Sequence, residues 1–264
     1  MENIKDLRLS VSKTKTFLDC KAKYKFNYIE KLPKKDWDFH ILGKFCHKVL
    51  EDFHNAYINN VSLKPYNIEM GIAYKAALAE YGDKMTPEMK KECWDIIDKY
   101  LQIVSKDKKN NLPANVIACE KPFELAVADK VILNGMIDRV QIDADNVIHV
   151  CDYKTTKNKK FLQGDFFQLL TYAYVIYQED PSITKVRASY ILLRHDFEYI
   201  TTEFEVPEIL KIKDKYTDYA NQINTEKEFV ANPSNLCKFC DFLQFCDSGK
   251  QKASPATTFG QVGW

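Results

Sequence analysis

Two short stretches concentrate the acids that could bind a cation. Gly135-Met-Ile-Asp138-Arg139 is followed by Val150-Cys-Asp152-Tyr153-Lys154, and each acid sits at the end of an apolar run. Adjacent strands lie about 4.8 Å apart, so two such ends can bring both carboxylates around one ion. Hard oxygen ligands with open positions suit Mg2+ or Mn2+. Lys154 is two residues beyond Asp152 and so projects from the same strand face. An amine there can orient or deprotonate an attacking water, or stabilise phosphate charge. The acid-x-lysine pattern alone carries little. It occurs four times, at Asp19, Glu88, Asp107 and Asp152, and only the last ends an apolar strand that follows another acid-bearing strand. Two surface acids beside a loop lysine fit the same residues.

Three further elements bear on that pair. Gly43-Lys-Phe-Cys-His47 lies in a helical pattern, with Gly43 one turn before His47 on the same face. A neutral imidazole can complete a two-carboxylate site, although a packed or surface histidine fits as well. Gln168 and Tyr172 are four apart on a later helix. Gln168 could bond a phosphate or hold the lysine, with Tyr172 packed behind it; an ordinary amphipathic helix is the alternative. Glu120 opens another strand and is either a supporting acid or simply exposed.

The cysteines form a second constellation. Cys237-x2-Cys240-x5-Cys246 offers three thiolates at ligand spacing, and a closed tetrahedral or cubane site wants four. Cys46 and Cys93 fall in helical patterns, Cys119 and Cys151 in strands, and all four read as buried apolar residues. Cys20 sits instead among lysines and aromatics. Zinc, an iron–sulfur cluster and unrelated thiols remain open on composition.

The elements that must position these groups follow from periodicity. Residues 10–30 read as a helix capped by Ser10 or Ser12. Helices are expected over 41–59, 67–82 and 87–106, with a polar loop to Pro113. The period then changes to strands over 116–128, 131–143 and 147–153. A helix over 165–178, a hairpin of 186–194 and 198–206 turning near His195–Asp196, and a helix from Pro207 to Glu226 complete the pattern. This is an α/β core with a helical insertion. The expected organisation is one domain over 1–247, with a helical part at 41–111, a sheet at 114–206 and cysteine-bearing segments at 10–30 and 233–247. A mobile tail is expected over 248–264.

Composition sets limits. The 264 residues carry 38 Lys and Arg against 37 Asp and Glu, so any nucleic-acid surface must be local. Lys13, Lys15, Lys21, Lys23, Lys25, Lys31, Lys34 and Lys35, interleaved with Tyr24, Phe26 and Tyr28, offer such a surface, or a solvated helix face. No secretory signal and no apolar run of membrane length is visible, so a soluble, cytoplasmic protein without membrane contact is expected. Eight cysteines in such a compartment argue against a disulfide scaffold.

Taken in order, the residues resemble the RecB/AddB-type nucleases, including the CRISPR-associated RecB-like exonucleases. The resemblance runs through Ser10-x-Ser12-x4-Phe17-x2-Cys20-x3-Tyr24-x-Phe26-x-Tyr28, Gly43-x3-His47, Gly135-x-Ile137-Asp138-Arg139, Asp152-Tyr153-Lys154, Gln168-x3-Tyr172 and the three late cysteines. It implies a PD-(D/E)XK, restriction-endonuclease-like core with a mixed central sheet, and a cysteine cluster joining the N- and C-terminal segments. His47, Asp138, Asp152 and the Tyr153 carbonyl would bind Mg2+ or Mn2+. Lys154 would be the catalytic lysine, with Gln168 and Tyr172 the accessory motif. Cys20, Cys237, Cys240 and Cys246 would hold a [4Fe–4S] cluster. The implied activity is metal-dependent DNA cleavage, exonucleolytic on single-stranded ends, in recombination, repair or CRISPR-type processing. Lys21 stands where the family often has proline, and no Walker loop is present, so the expectation is a stand-alone nuclease or a subunit that borrows a motor from a helicase, recombination or CRISPR partner. Two other outcomes are a non-catalytic DNA-end-binding subunit and a zinc-stapled interaction protein. The ending Phe259-Gly-Gln-Val-Gly-Trp264 matches no pattern; partner docking is one use for it.

Overall fold

A computed structural model of the protein describes residues 6–35, 37–106 and 115–253. The chain divides into two compact units, one of residues 1–8 and 37–218, the other of 9–36 and 219–264.

The first unit is built on a mixed sheet. Strand β1 (Leu7–Leu9) is followed, after helices α1 (Val11–Asp19) and α2 (Lys21–Tyr24) of the other unit, by three insertion helices. These are α3 (Asp38–Tyr57), α4 (Tyr66–Tyr81) and α5 (Pro87–Lys106). Proline at the first position of α5 loses no helical bond, and Thr86 Oγ1 accepts the Met89 N–H at 3.3 Å. Strands β2 (Val116–Ala128), β3 (Val131–Ile142) and β4 (Ile148–Lys154) form an antiparallel meander. Helix α6 (Phe167–Glu179) then crosses over to β5 (Lys185–Leu192), which runs parallel to β4. Strand β6 (Glu198–Glu205) closes the far edge antiparallel. β1 was not expected from the sequence; three residues carry no readable period, and the Leu7 N–H reaches the Lys130 carbonyl at 2.8 Å.

Alternate residues of a strand face opposite sides, and β4 is covered on both. Cys151 and Tyr153 pack into a core with Phe45, Val49, Phe53, Ile97 and Tyr100 of α3 and α5. Asp152 faces α6, whose residues Leu169–Ile176 are all buried. The five-residue β5–β6 connection, 193–197, has positive φ at Asp196 (53°) and Phe197 (60°), where the Glu198 N–H closes a tight turn on the His195 carbonyl at 3.0 Å. Phe197 tolerates this because its ring is buried in the α3–α5 core.

In the second unit the expected 10–30 helix is broken. Ser10 Oγ caps α1 by accepting the Lys13 N–H at 3.2 Å, but Cys20 is extended (φ −160°, ψ 107°) and ends that helix. The chain resumes as α2 and a π-helical turn, Lys25–Ile29. The first unit continues through α7 (Val206–Ile209) and the start of α8 (Lys211–Thr225), whose end from residue 219 belongs to the second; there, two 3-10 turns at Cys237–Phe239 and Leu243–Phe245 lead to α9 (Asp247–Ala253). The segment read as a tail from Ser248 therefore begins as a helix; residues 254–264, with the Phe259–Trp264 ending, lie outside the described residues.

Candidate active site

Strands β3 and β4 keep register as far as Arg139 opposite Cys151. Past that pair the Tyr153 N–H bonds the Asp138 carboxylate at 2.8 Å. The strands open there, and Asp138 and Asp152 stand in the opening. On the other side of β3, Cys119 pairs with Arg139 and Lys121 with Ile137, which puts Glu120 opposite Asp138. Glu120 has φ +43°, a conformation that costs a non-glycine residue of order 1 kcal/mol and is kept where surroundings enforce it.

α3 brings His47 to this opening. Its Nδ1 lies 3.5 Å from Asp138 Oδ2 and 3.6 Å from Glu120 Oε1. Its Nε2 lies 3.2 Å from the Tyr153 carbonyl. Among the described residues, His47, Glu120 and Asp138 form a group whose ligand atoms lie within 4.8 Å of one another. Gly43, one turn earlier, would bring a Cβ to 3.4 Å from Thr155 Oγ1, so a small residue suits the approach of α3 to the loop after β4.

The second acid has different company. Lys154 Nζ is 2.5 Å from Asp152 Oδ2 and donates to Gln168 Oε1 at 2.9 Å. Gln168 Nε2 donates to Asp152 Oδ1 at 2.6 Å and lies 2.7 Å from the Tyr172 hydroxyl. The Tyr172 hydroxyl also reaches Asp152 Oδ1, at 3.3 Å. The one-turn spacing of Gln168 and Tyr172 puts both on the acid, and Lys154 does share its face. The arrangement differs from the implied ligand set in one respect: Glu120 joins His47 and Asp138, while Asp152 is bound to the lysine and the α6 pair.

The electrostatics fit a cation. Burial, and then the charge of Asp152, push Asp138 up to about 7, against the opposing pull of His47 and the Tyr153 N–H. Burial lowers His47, but the bond to Glu120 and the charges of Asp138, Asp152 and Glu120 outweigh it and raise the ring to about 9. Without a metal, the proton on His47 balances the acids. Asp152 Oδ2 is buried and accepts no hydrogen bond of good geometry, despite the nearby ammonium. A histidine, carboxylate and carbonyl donor set with such an oxygen fits Mg2+ or Mn2+.

The cysteines divide as follows. Cys46, Cys93 and Cys151 are buried as expected, whereas Cys119 is only partly so. Cys20, Cys237, Cys240 and Cys246 line one pocket of the second unit, with Phe26 and Leu243. Backbone N–H groups of Asn232, Ser234 and Gly249 point at the sulfurs of Cys20, Cys237 and Cys246 at 3.5, 3.3 and 3.3 Å. A Cβ at Gly249 would lie 3.2 Å from Cys246 Sγ and 3.3 Å from Leu243 Cδ1, so a larger residue there would have to push them back by a few tenths of an ångström. Of the N-terminal lysines, Lys13 lies over the rings of Tyr24 and Tyr28, and Lys21 pairs with Glu226.

Arg139 carries no role from its place in the sequence, yet it is buried here; a charged residue inside the run Val131–Ile142 is the signal for that.

Known proteins are similar to this chain in sequence and fold. The family described as the PD-(D/E)XK nuclease superfamily matches residues 8–247. The chain is 23% identical over 240 residues to an ATP-dependent helicase/deoxyribonuclease subunit of Streptococcus agalactiae, covering 86% of this chain and 22% of that protein. It is 24% identical over 188 residues to the protein of the same name from Streptococcus pyogenes, covering 66% of this chain and 17% of that protein. The chain thus spans about a fifth of the length of the curated relatives it matches. A solved structure named "Putative exonuclease", from Eubacterium rectale, shares the fold at a TM-score of 0.54 and 10% identity, covering 88% of this chain and 86% of its own.

Proposed function

The chain belongs to the PD-(D/E)XK nuclease superfamily, and from that premise we propose that it is a divalent-metal-dependent deoxyribonuclease that hydrolyses phosphodiester bonds at single-stranded DNA ends. One observation carries the reading: the Lys154–Asp152–Gln168–Tyr172 cluster stands beside the His47–Glu120–Asp138 group at the end of β4. His47, Asp138 and Asp152, with the Tyr153 carbonyl and Glu120, would hold Mg2+ or Mn2+. Such an ion, when bound, lowers the pKa of a coordinated water and offsets charge on the phosphate. The chain's own part is positional and acid–base. Gln168 and Tyr172 hold Asp152, and Gln168 turns the Lys154 ammonium toward the same opening. From there Lys154 can donate a hydrogen bond to a phosphate oxygen or pass a proton to and from water. Tyr153 presents its N–H to Asp138 and its carbonyl to His47, so a single residue's backbone orients two of the ligands.

The second unit extends the reading. Cys20, Cys237, Cys240 and Cys246 would hold a [4Fe–4S] cluster, a group bound through thiolates. Amide N–H groups aimed at three of the sulfurs favour thiolate ligands. The basic, aromatic N-terminal segment suits a DNA strand. The relatives named as helicase/deoxyribonuclease subunits support DNA processing beside a motor partner, and the setting proposed for it is recombination, repair or CRISPR-type processing. Among the described residues, no helix is long and apolar enough to cross a membrane, and a cytoplasmic setting suits a DNA substrate.

The test is digestion of end-labelled single- and double-stranded DNA with Mg2+ and with Mn2+. Single-stranded ends should be shortened progressively by the parent protein and not by Asp152→Ala or Lys154→Ala. Equal cutting by either variant would remove the site assignment. DNA binding without cutting in both metals would leave only end recognition.

A further inference from the structure

Arg139 is fully buried, yet among the described residues no carboxylate pairs with it. Its donors go to hydroxyls and a thiol. Nη1 reaches Tyr100 and Tyr153 at 3.3 Å each. Nη2 reaches Tyr199 at 2.7 Å and Cys151 Sγ at 3.8 Å, and Nε has no partner. Behind Tyr100 stands His54, 2.7 Å from its hydroxyl. Burial, and then the Arg139 charge, hold His54 well below its usual pKa and so neutral. A neutral Nε2 can take the Tyr100 proton, which leaves that hydroxyl's lone pair for Arg139. A buried guanidinium without a counter-ion carries a large desolvation cost, so its position calls for a reason.

That reason lies in what the two flanking residues do. Arg139 follows Asp138 on β3, and Tyr153 follows Asp152 on β4. Both side chains point to the α3–α5 face, away from the carboxylates. The β3–β4 register ends at the Arg139–Cys151 pair. One step beyond it, the guanidinium crosses to Tyr153, bonding its hydroxyl and lying 5.6 Å from its ring centroid. The backbone so held is the one that meets Asp138 and His47.

We propose that Arg139 is a positioning residue for divalent-metal binding: through Tyr153 it sets the opening between the two strand ends that carry the acids. The proposal rests on the metal-site reading above. Tyr153→Phe and Tyr199→Phe each delete one hydroxyl from Arg139, and only the first acts on the site. Mn2+ binding to the DNA-free protein is read by electron paramagnetic resonance or calorimetry, beside thermal melts. Tyr153→Phe should weaken Mn2+ binding by about tenfold, the lower end for removing a group that supports ligands. Tyr199→Phe should leave the affinity within about twofold, although it removes the shorter bond, and should lower Tm at least as much. Unchanged affinity in Tyr153→Phe, or equal weakening in both variants, would overturn the proposal and leave Arg139 a stabilising group alone. A parent protein that binds no Mn2+ would overturn the metal-site reading and this inference with it.

Discussion

Gly135 faces Phe123 across the β2–β3 ladder, and alanine at this position tests the packing beneath the acidic opening. A Cβ there would stand 2.6 Å from Phe123 Cζ, 3.0 Å from Cε1 and 3.4 Å from Cε2. Ordinary contact begins near 3.4 Å, so the ring tip must retreat by 3.4 − 2.6 = 0.8 Å. A buried phenyl ring is rigid, and this one has Tyr172 edge-on at 6.2 Å. Tyr172 in turn bonds Asp152 and Gln168. Overpacking of this kind costs about 1–3 kcal/mol. For a unit of this size, about 2 kcal/mol lowers Tm by roughly 4–8 °C. The assay is a double-mutant cycle of Gly135→Ala with Phe123→Leu, read by thermal unfolding and by Mn2+-dependent cleavage. The smaller side chain should absorb the methyl, giving a coupling of about 1–2 kcal/mol and recovering part of the lost rate. An unchanged Tm in Gly135→Ala, or strictly additive losses, would refute the overlap argument.

Other outcomes follow from the same structure. Glu120→Gly should relieve a positive-φ strain of about 1 kcal/mol but lose the His47 contact and add unfolded-chain entropy of about 0.5–1 kcal/mol, so Tm should change little while Mn2+ binding weakens; unchanged Mn2+ binding would remove Glu120 from the site. His149 is buried, 3.0 Å from Asp143 and 2.7 Å from Ser189. Burial lowers its pKa, but the Cys151 sulfur and the Asp143 carboxylate outweigh that and raise it to about 9. A raised histidine stabilises fully below about pH 6.5 and loses that contribution as pH climbs through about 9. Melts should therefore drop by the equivalent of up to about 3 kcal/mol across that window, and His149→Gln should flatten the drop. Under anaerobic purification the parent protein should be brown, absorbing near about 400 nm if the four cysteines hold a cluster, and Cys240→Ser should be pale; a colourless parent with stoichiometric zinc would replace the cluster by a zinc site. Chelation with EDTA should stop cleavage and Mn2+ should restore it.

The sequence by itself determined which residues could do chemistry and in what order. His47, Asp138, Asp152, Lys154, Gln168 and Tyr172 stood out as candidates from their places on strands and helices, and the resemblance to the RecB/AddB-type nucleases implied their roles. Two residues along a strand or four along a helix share a face, and the Lys154–Asp152 and Gln168–Tyr172 contacts obey that rule. The element pattern was legible for the same reason, from α3 to β6. What joins distant segments was not. Glu120 meets Asp138 because β2 pairs with β3 in one particular register, at a backbone angle that no residue type announces in advance. Cys20 breaks its helix, against an otherwise helical run from Ser10 onward. Arg139 is enclosed only because β4, β6 and α5 close around it. Periodicity records only neighbours along the chain. The opening between β3 and β4 depends on where their ladder stops, which is a property of the paired strands and not of either run alone.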